Sequence, residues 1–306
     1  MRTLAALGAV ALATLLAAGW LGAMHPALDS VGHFRLHLVA VALALALVLA
    51  VVRARRSLAL LLATAAASLA LTWPALPGLA PPAKGHASPD LVVAQQNLLY
   101  LNATPEDAVH ALAGAEADVL LLQEVSERNR AVLRVLADRF PYRAVCPFRR
   151  FRSIAILSRH PFQGEPRCGG DAGVASARIG IAGRSIAVAS LHARWPWPYP
   201  QWRHVDEINA HLAAIPPPLV LGGDFNASPW SAFVRRLSDA ANARPVPGLR
   251  FTFNLRTLQR GDSRVGGLPL DHVLHTADLV PTGVQLLPHA GSDHLGTRVA
   301  FAFASP

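Results

Sequence analysis

The sequence predicts an α/β catalytic domain preceded by membrane-spanning helices, and two observations carry that reading. From Asp90 onward, short β-branched or Leu-rich runs alternate with amphipathic segments, without internal repeats, which is the pattern of an α/β fold. Before Ser88 the chain is dominated by long Ala/Leu/Val runs with few charges, which raise its apolar content to 52%, high for a soluble protein. The shift in composition near Ser88 marks the main domain boundary, and 306 residues suffice for one large domain or two smaller ones.

Three apolar runs, residues 4–23, 34–52 and 58–73, each approach the roughly 20 residues that a bilayer core requires. The first also fits a secretory signal behind Arg2. No small-x-small cleavage site precedes a polar start, however, and two more apolar runs follow, so a retained anchor is the preferred reading. The third run is short and Ala-rich, with a buried or interfacial helix as its alternative. Arg53, Arg55 and Arg56 crowd between the second and third runs, whereas the loop after the first holds only Arg35 near its end. The basic loop is therefore expected in the cytoplasm, together with Arg2, and everything after Pro74 on the far side. Residues 1–74 are expected to form the membrane region. Residues 75–89 form a Pro/Gly-rich linker lifting the catalytic domain off the bilayer, and residues 90–306 form that domain. The expected location is a bacterial inner membrane with the domain in the periplasm.

The net charge of +9 is less of a nucleic-acid signature than it looks. From Asp90 to the end, 22 arginines face 18 acidic residues, a net of +4, while six basic residues and one acid in the front part supply +5. The two cysteines, Cys146 and Cys168, both lie in the expected exported domain, in loop-like sequence. An oxidising compartment would permit a disulfide between them; the alternative is two unrelated small apolar residues. A metal site needs more ligands than this pair supplies.

Taken in order, residues 91–96 read as a strand ending at Asn97. Thr104, Pro105 and Asp107 then open a helix to about Gly114. Residues 118–122 form a buried strand that delivers Glu124, and residues 128–139 an amphipathic helix stopped by Pro141. Residues 153–157 are another strand, and 174–181 with 185–191 a hairpin around Ala182-Gly183 that ends at His192. Residues 200–214 read as helix and 219–222 as a strand running into Asp224. Later strands are expected at 250–254, 270–274, 282–286 and 297–303. The reactive side chains thus fall at strand ends, where packed α/β proteins assemble their sites.

Phosphate-ester hydrolysis needs a cation to offset charge, an activated water, and donors for the developing oxyanion. Asn97 and Glu124 offer hard oxygen ligands of the kind that suit magnesium or manganese; singly, each reads equally as a turn residue or a strand-end surface carboxylate. In Gly222-Gly223-Asp224-Phe225-Asn226, a carboxylate and an amide two residues apart follow a buried strand, so Asp224 can orient water or bind metal and Asn226 can hold a phosphoryl oxygen; an Asx turn is the alternative. Ser292-Asp293-His294 and Leu270-Asp271-His272 add Asp and His side chains, and an Asp can fix the tautomer of a His and stabilise its cation. His192 is a candidate acid or phosphate ligand, or a structural histidine.

Seven motifs in this order resemble the endonuclease/exonuclease/phosphatase superfamily. They are Gln96-Asn97, Leu122-Gln123-Glu124-Val125, Ile156-Leu157-Ser158-Arg159, Leu191-His192, Gly223-Asp224-Phe225-Asn226, Leu270-Asp271-His272-Val273 and Ser292-Asp293-His294. The resemblance implies a four-layer α/β sandwich of two packed mixed sheets. It implies Glu124 and Asn97 as metal ligands, Asp224 and Asn226 at the attacking water and phosphate, and His294 on the phosphoryl oxygens. Asp271 would orient His294, Asp293 would complete a metal site or position the same histidine, and His192 would serve the leaving-group side. Relatives often pair that histidine with a carboxylate from the region near Ser153, yet no acid occurs between Tyr142 and His160 here. Tyr142 matches the family's phosphate-contacting tyrosine only loosely.

Two further features resemble a membrane-anchored bacterial branch. Trp195 and Trp197, in the Pro-rich run after His192, would stack on a base, rest at a headgroup layer or pack under a stiffened loop. Arg149 and Arg150, with Arg152, would grip a second phosphate or form a solvated loop. The expected function is a tethered Mg²⁺- or Mn²⁺-dependent phosphoesterase acting on nucleic acid, phospholipid or sugar phosphate. A nuclease and a catalytically inactive envelope binding protein are the alternatives. The intact polar set opposes the inactive reading, and no protein partner is identifiable.

Overall fold

In the computed structural model, residues 1–75, 89–254 and 267–304 are described; most of the expected linker lies outside them. The fully apolar runs become strands buried on both faces, at the centres of two six-stranded sheets. In spatial order the first sheet comprises β11 (Leu279–Leu286), β12 (Thr297–Phe303), β1 (Leu91–Asn97), β2 (Val119–Val125), β4 (Arg152–Ser158) and β3 (Tyr142–Arg149). The second comprises β5 (Arg167–Cys168), β6 (Val174–Ile181), β7 (Arg184–His192), β8 (Leu219–Asp224), β10 (Asp271–His275) and β9 (Arg244–Pro245). Each sheet is mixed, with one parallel pair, β1–β2 and β7–β8. Parallel neighbours need a crossover, supplied by α5 (Pro105–Gly114) in one case and α7 (Val205–Ala213) in the other.

The sheets stack face to face through Val93, Leu121 and Ile156 on one side and Val188, Val220 and Val273 on the other. The outer face of the first sheet packs Leu120 and Leu122 on Leu112 of α5 and Val132 of α6 (Ala131–Val135). The outer face of the second packs Leu221 and Leu274 on Leu212 of α7 and on Phe233 and Leu237 of α8 (Ala232–Ala240). The result is the expected four-layer α/β sandwich.

Several expected elements differ. The helix expected at 128–139 shrinks to α6 because Asn129 bonds across the turn instead. Its Oδ1 accepts from Ser126 N (2.8 Å) and its Nδ2 donates to the carbonyls of Leu99 (3.2 Å) and Glu124 (2.9 Å). Residues 250–254 form no strand, only bridges from Phe253 to Leu268 and His294. β3 was not anticipated, since its arginines and Pro147 disguise an edge strand, where proline is tolerated; α8 and the short β5 and β9 were missed too. The hairpin turn fits the sequence closely: Ala182 (φ 49°) and Gly183 (φ 73°) both take the left-handed conformation of a two-residue type I′ turn.

The front part holds four helices rather than three: α1 (Arg2–Trp20), α2 (Pro26–His33), α3 (Arg35–Val51) and α4 (Arg55–Thr72). α2 starts where the His25 side chain accepts from Ala27 N (3.1 Å) and Pro26 takes the first turn, where its missing N–H is not needed. Two helices are long and apolar enough to cross a membrane, and α2 with α3, bent by 62°, makes up to a third span. α1, α3 and α4 bury Leu16, Leu49 and Leu61 together. Gly19 lets α1 and α2 touch: a Cβ there would lie 3.1 Å from Gly32 Cα.

Cys146 of β3 and Cys168 of β5 are disulfide-bonded, with 5.4 Å between their Cα atoms, so the bridge staples an edge strand of one sheet to an edge strand of the other. From the sequence separation of 22 residues, chain-entropy arguments put its contribution at about 3 kcal/mol. The Cys146→Ser/Cys168→Ser variant is therefore expected to unfold at lower temperature and lower denaturant concentration than the parent; coincident unfolding curves would show the bridge to be energetically idle.

Candidate active site

Both parallel pairs point their carboxyl ends at one edge of the sandwich, and that edge is where the polar residues gather. Asn97, Glu124, His192 and Asp224 lie at the ends of β1, β2, β7 and β8, with His192 and Asp224 in register across the second sheet. Asp271 opens β10 directly opposite Asp224. Two of these positions are reached by unusual backbone. The β2–β4 register slips between Leu122 and Val125, and Glu124 sits there at φ 56°, so a bulge re-aims its side chain. Gly223 takes φ 149°, and a Cβ there would fall 2.0 Å from Leu191 O, so only glycine lets β8 approach β7 this closely.

The side chains form one connected network. Asp224 Oδ1 accepts from Asn226 N (2.8 Å), and its Oδ2 accepts from the side-chain amides of Asn97 (3.1 Å) and Asn226 (3.2 Å). That same Oδ2 lies 3.6 Å from His192 Nε2 and 3.7 Å from His294 Nε2. His294 Nδ1 faces Asp271 Oδ2 at 2.7 Å. Glu124 Oε1 takes a bond from Arg152 Nη1 (3.1 Å) and stands 3.6 Å from His192 Nε2, while its Oε2 accepts from Tyr100 N (2.9 Å). The carboxylate facing His192 thus comes from β2 and β8, not from the acid-free segment near Ser153.

Burial divides the two histidines. It drives His192 down to about 4, outweighing the nearby Glu124 carboxylate, so His192 is neutral at physiological pH. Burial opposes charge on His294 as well, but the carboxylates of Asp271 and Asp224 overcome it and lift this histidine to about 10, so it is cationic. Burial, only partly offset by His294, raises Asp224 to about 7. A neutral imidazole, a cationic one and a poised carboxylate therefore share one cluster, the separation of roles that acid–base chemistry requires.

Of the residues singled out in the sequence, Asn97, Glu124, His192, Asp224, Asn226, Asp271 and His294 come together. Asp293 adjoins them, but among the described residues its carboxylate makes no hydrogen bond or ion pair. Arg149 pairs with Arg152 across the β3–β4 turn at the rim, and burial, then the like charges of Arg194 and Arg152, lower its affinity for its proton. Arg150 lies at the turn against the exposed Phe151 ring. Trp195 and Trp197 are exposed, with Trp195 edge-on to Tyr199. Tyr142 is a correction: it pairs with Ser158 at the opposite end of β4 from Arg152 and leans on Phe162, so strand geometry holds it away from the cluster.

The tyrosine at the site is Tyr100, whose ring lies 3.6 Å beneath the Arg152 guanidinium. Gln201 was also missed. Its Nε2 donates to the carbonyls of Phe225 and Asn226 (3.1 Å each), holding the turn that carries Asn226 at φ 49°. Ser292 links its Oγ to Asn97 O (2.7 Å) and to His294 N (3.1 Å). Residues 228–233, which follow the turn carrying Asn226, are fastened to α2. Ser228 N donates to His33 Nδ1 (3.3 Å), Trp230 Nε1 donates to Gly32 O (2.7 Å), and Asp29 accepts from Ala232 N (2.7 Å) and Phe233 N (3.1 Å) at the start of α8. The helices therefore contact the sandwich directly through α2.

Residues 94–294 match the model of the Endonuclease/Exonuclease/phosphatase family, a span that holds every member of the cluster. The chain belongs to the endonuclease/exonuclease/phosphatase family. Members of this family hydrolyse phosphate esters. Among solved structures, the chain is similar to an endonuclease/exonuclease/phosphatase from Bacteroides vulgatus at 13% identity and TM-score 0.59, over 70% of this chain and 99% of that one. It is similar to truncated Caenorhabditis elegans TDP2 at 18% identity and TM-score 0.54, over 70% and 97%. A mutant Staphylococcus aureus beta toxin with bound magnesium ions gives 14% identity and TM-score 0.50, over 69% and 99%. No curated protein sequence matches the chain significantly.

The endonuclease/exonuclease/phosphatase fold implies a divalent metal, and the donor set fits one. Among the described residues, candidate ligand atoms of Asp224, Asp271 and His294 all lie within 4.8 Å of one another. His294 is engaged at Nδ1 by Asp271 and turns Nε2 towards Asp224, so this trio suits proton handling better than ligation. Glu124 and Asn97 supply hard oxygens of the kind that suits magnesium or manganese; here Asn97 turns its Nδ2 to Asp224 and its Oδ1 accepts from Leu99 N (2.9 Å), while Glu124 faces Arg152 and His192.

Proposed function

We propose that this chain is a membrane-tethered, divalent-metal-dependent phosphoesterase that hydrolyses phosphodiester or phosphomonoester bonds by attack of water. The observation that carries this reading is the buried chain Asp271–His294–Asp224–Asn97, which joins two acids, a cation and an amide at the strand ends beside Glu124. In this reading Glu124 and Asn97 hold the ion, and Asp293, next to His294 in the chain, completes its shell. Bound there, Mg²⁺ or Mn²⁺ would supply Lewis acidity to the phosphoryl oxygens. Asp224, poised near neutrality, orients and deprotonates the water; Asn226 holds a phosphoryl oxygen; His294 donates to another from Nε2 while Asp271 fixes its ring. Neutral His192 faces the leaving-group side, and Arg152 and Arg149 add positive charge at the rim.

The catalytic domain is placed in the periplasm in this proposal. The Cys146–Cys168 bridge supports an oxidising compartment. Arg2, Arg53, Arg55 and Arg56 cluster at one end of the helices, supporting a cytoplasmic position for that end. A nuclease is the second reading, favoured by the exposed Trp195, Trp197 and Tyr199 that follow His192 in the chain, whose faces suit base stacking. Detergent-solubilised full-length protein should be assayed on bis-p-nitrophenyl phosphate, p-nitrophenyl phosphate, supercoiled DNA and phospholipid vesicles. Turnover that EDTA abolishes and Mg²⁺ or Mn²⁺ restores is expected on at least one; metal-independent turnover, or none on any, would overturn the proposal.

A further inference from the structure

Away from the strand ends, a cavity of about 570 Å³ opens where the helices meet the sandwich. Trp20 and Leu71 line it from the ends of α1 and α4, and Arg35 from the start of α3. Arg235, Arg244 and Arg250 line it from the sandwich. Among the described residues, none of these four arginines forms an ion pair. Asp29 of α2 is turned to the α8 amides. The guanidinium bonds that do exist go to neutral oxygens: Arg35 to Gly19 O (3.2 Å) and Thr72 Oγ1 (3.5 Å), Arg235 to Trp230 O (2.8 Å), Arg250 to Val246 O (2.7 Å) and Pro247 O (2.8 Å). Among the described residues, the buried Nε atoms of Arg35 and Arg250 have no partner. Burial lowers Arg250 only to about 10, leaving it cationic. Four gathered cations with unspent donors call for an anion.

The depth of the cavity says what brings it. Trp20, Arg35 and Thr72 mark one end of the bundle, the level at which tryptophan and arginine meet lipid headgroups. Leu71 of α4 lines the cavity and remains exposed, so an apolar surface adjoins the arginines. We propose that this cavity binds the phosphate headgroup of an anionic bilayer phospholipid, with its chains along α4, at a site separate from the strand-end cluster. Trp230 and His272 form part of its wall, so an occupant would brace the loop after Asp224 and the strand of Asp271. The proposal rests on the helices crossing a bilayer, which alkaline extraction of membranes reads separately.

Full-length protein in nanodiscs of phosphatidylcholine with increasing phosphatidylglycerol tests it, with bound lipid counted by native mass spectrometry after release into detergent. Arg235 and Arg244 are exposed, so their glutamine variants should fold. Phosphatidylglycerol is expected to be retained over phosphatidylcholine, and Arg235→Gln and Arg244→Gln each to weaken retention about fivefold. Equal retention of the two lipids, or of phosphatidylglycerol by parent and variants, would overturn the proposal. Displacement by millimolar inorganic phosphate would also overturn it, making the site one for free phosphate. Failure of alkaline extraction to leave the chain in the membrane would instead refute the tethered reading.

Discussion

Asp224→Asn is expected to lower kcat on bis-p-nitrophenyl phosphate by about a thousandfold, with little change in KM. The amide keeps the size of the side chain but loses the charge on which Asn97, Asn226, His192 and His294 all converge. Loss of folding is separable from loss of chemistry by the sign of the stability change. Burial raises Asp224 above the usual carboxylate value to about 7, so the metal-free fold binds more protons than the unfolded chain between about pH 4 and 7. Ionised Asp224 therefore withdraws stability as pH rises through that window. Without metal at pH 8, the asparagine variant should melt no lower than the parent. A variant retaining a tenth of parental kcat, or one that is inactive only because it unfolds, would remove Asp224 from the role proposed for it.

His294→Ala is expected to cost about a hundredfold to a thousandfold in kcat, since it removes the cationic donor to the phosphoryl oxygens. Asp271→Asn should cost nearly as much, because the 2.7 Å contact to His294 Nδ1 both orients the ring and keeps it protonated. Groups that act as a unit do not add: the double variant should be little worse than His294→Ala alone. Losses that multiply instead would show that Asp271 acts independently of His294. The kcat of Asp271→Asn should also fall at lower pH than that of the parent, since the histidine then loses its proton more readily; an unchanged profile would oppose a positioning role.

Most of the cluster was legible because each of its members interrupts a pattern. Asn97, Glu124, His192 and Asp224 each terminate an apolar run, and a polar residue at the end of a doubly buried strand has few places to go except the sheet edge. Asp271 could be recognised because it opens such a run. Tyr142 was misplaced because β3 was not seen as a strand, so nothing fixed which end of the sheet it occupied. Gln201 and Asn129 act through side-chain bonds to backbone carbonyls, which leave no periodic trace. α8 did carry a signal, Ser231 accepting from Val234 N (3.0 Å) as its cap, hidden behind the Asx-rich turn that precedes it. α2 was lost for another reason: its eight residues are too few to span a membrane, and their partners lie some two hundred positions away.

The fastening of α2 to residues 228–233 bears on how substrate is met. With the helices in a bilayer, the cluster rides at a set height and heading, like a tool clamped to a bench rather than one on a cord. Encounter then becomes a search in two dimensions, and the rate follows how densely a phosphate ester is spread near the membrane rather than its concentration in bulk. A long polymer must come down to the surface to be cut, whereas a lipid-borne ester already lies in the plane the mouth patrols.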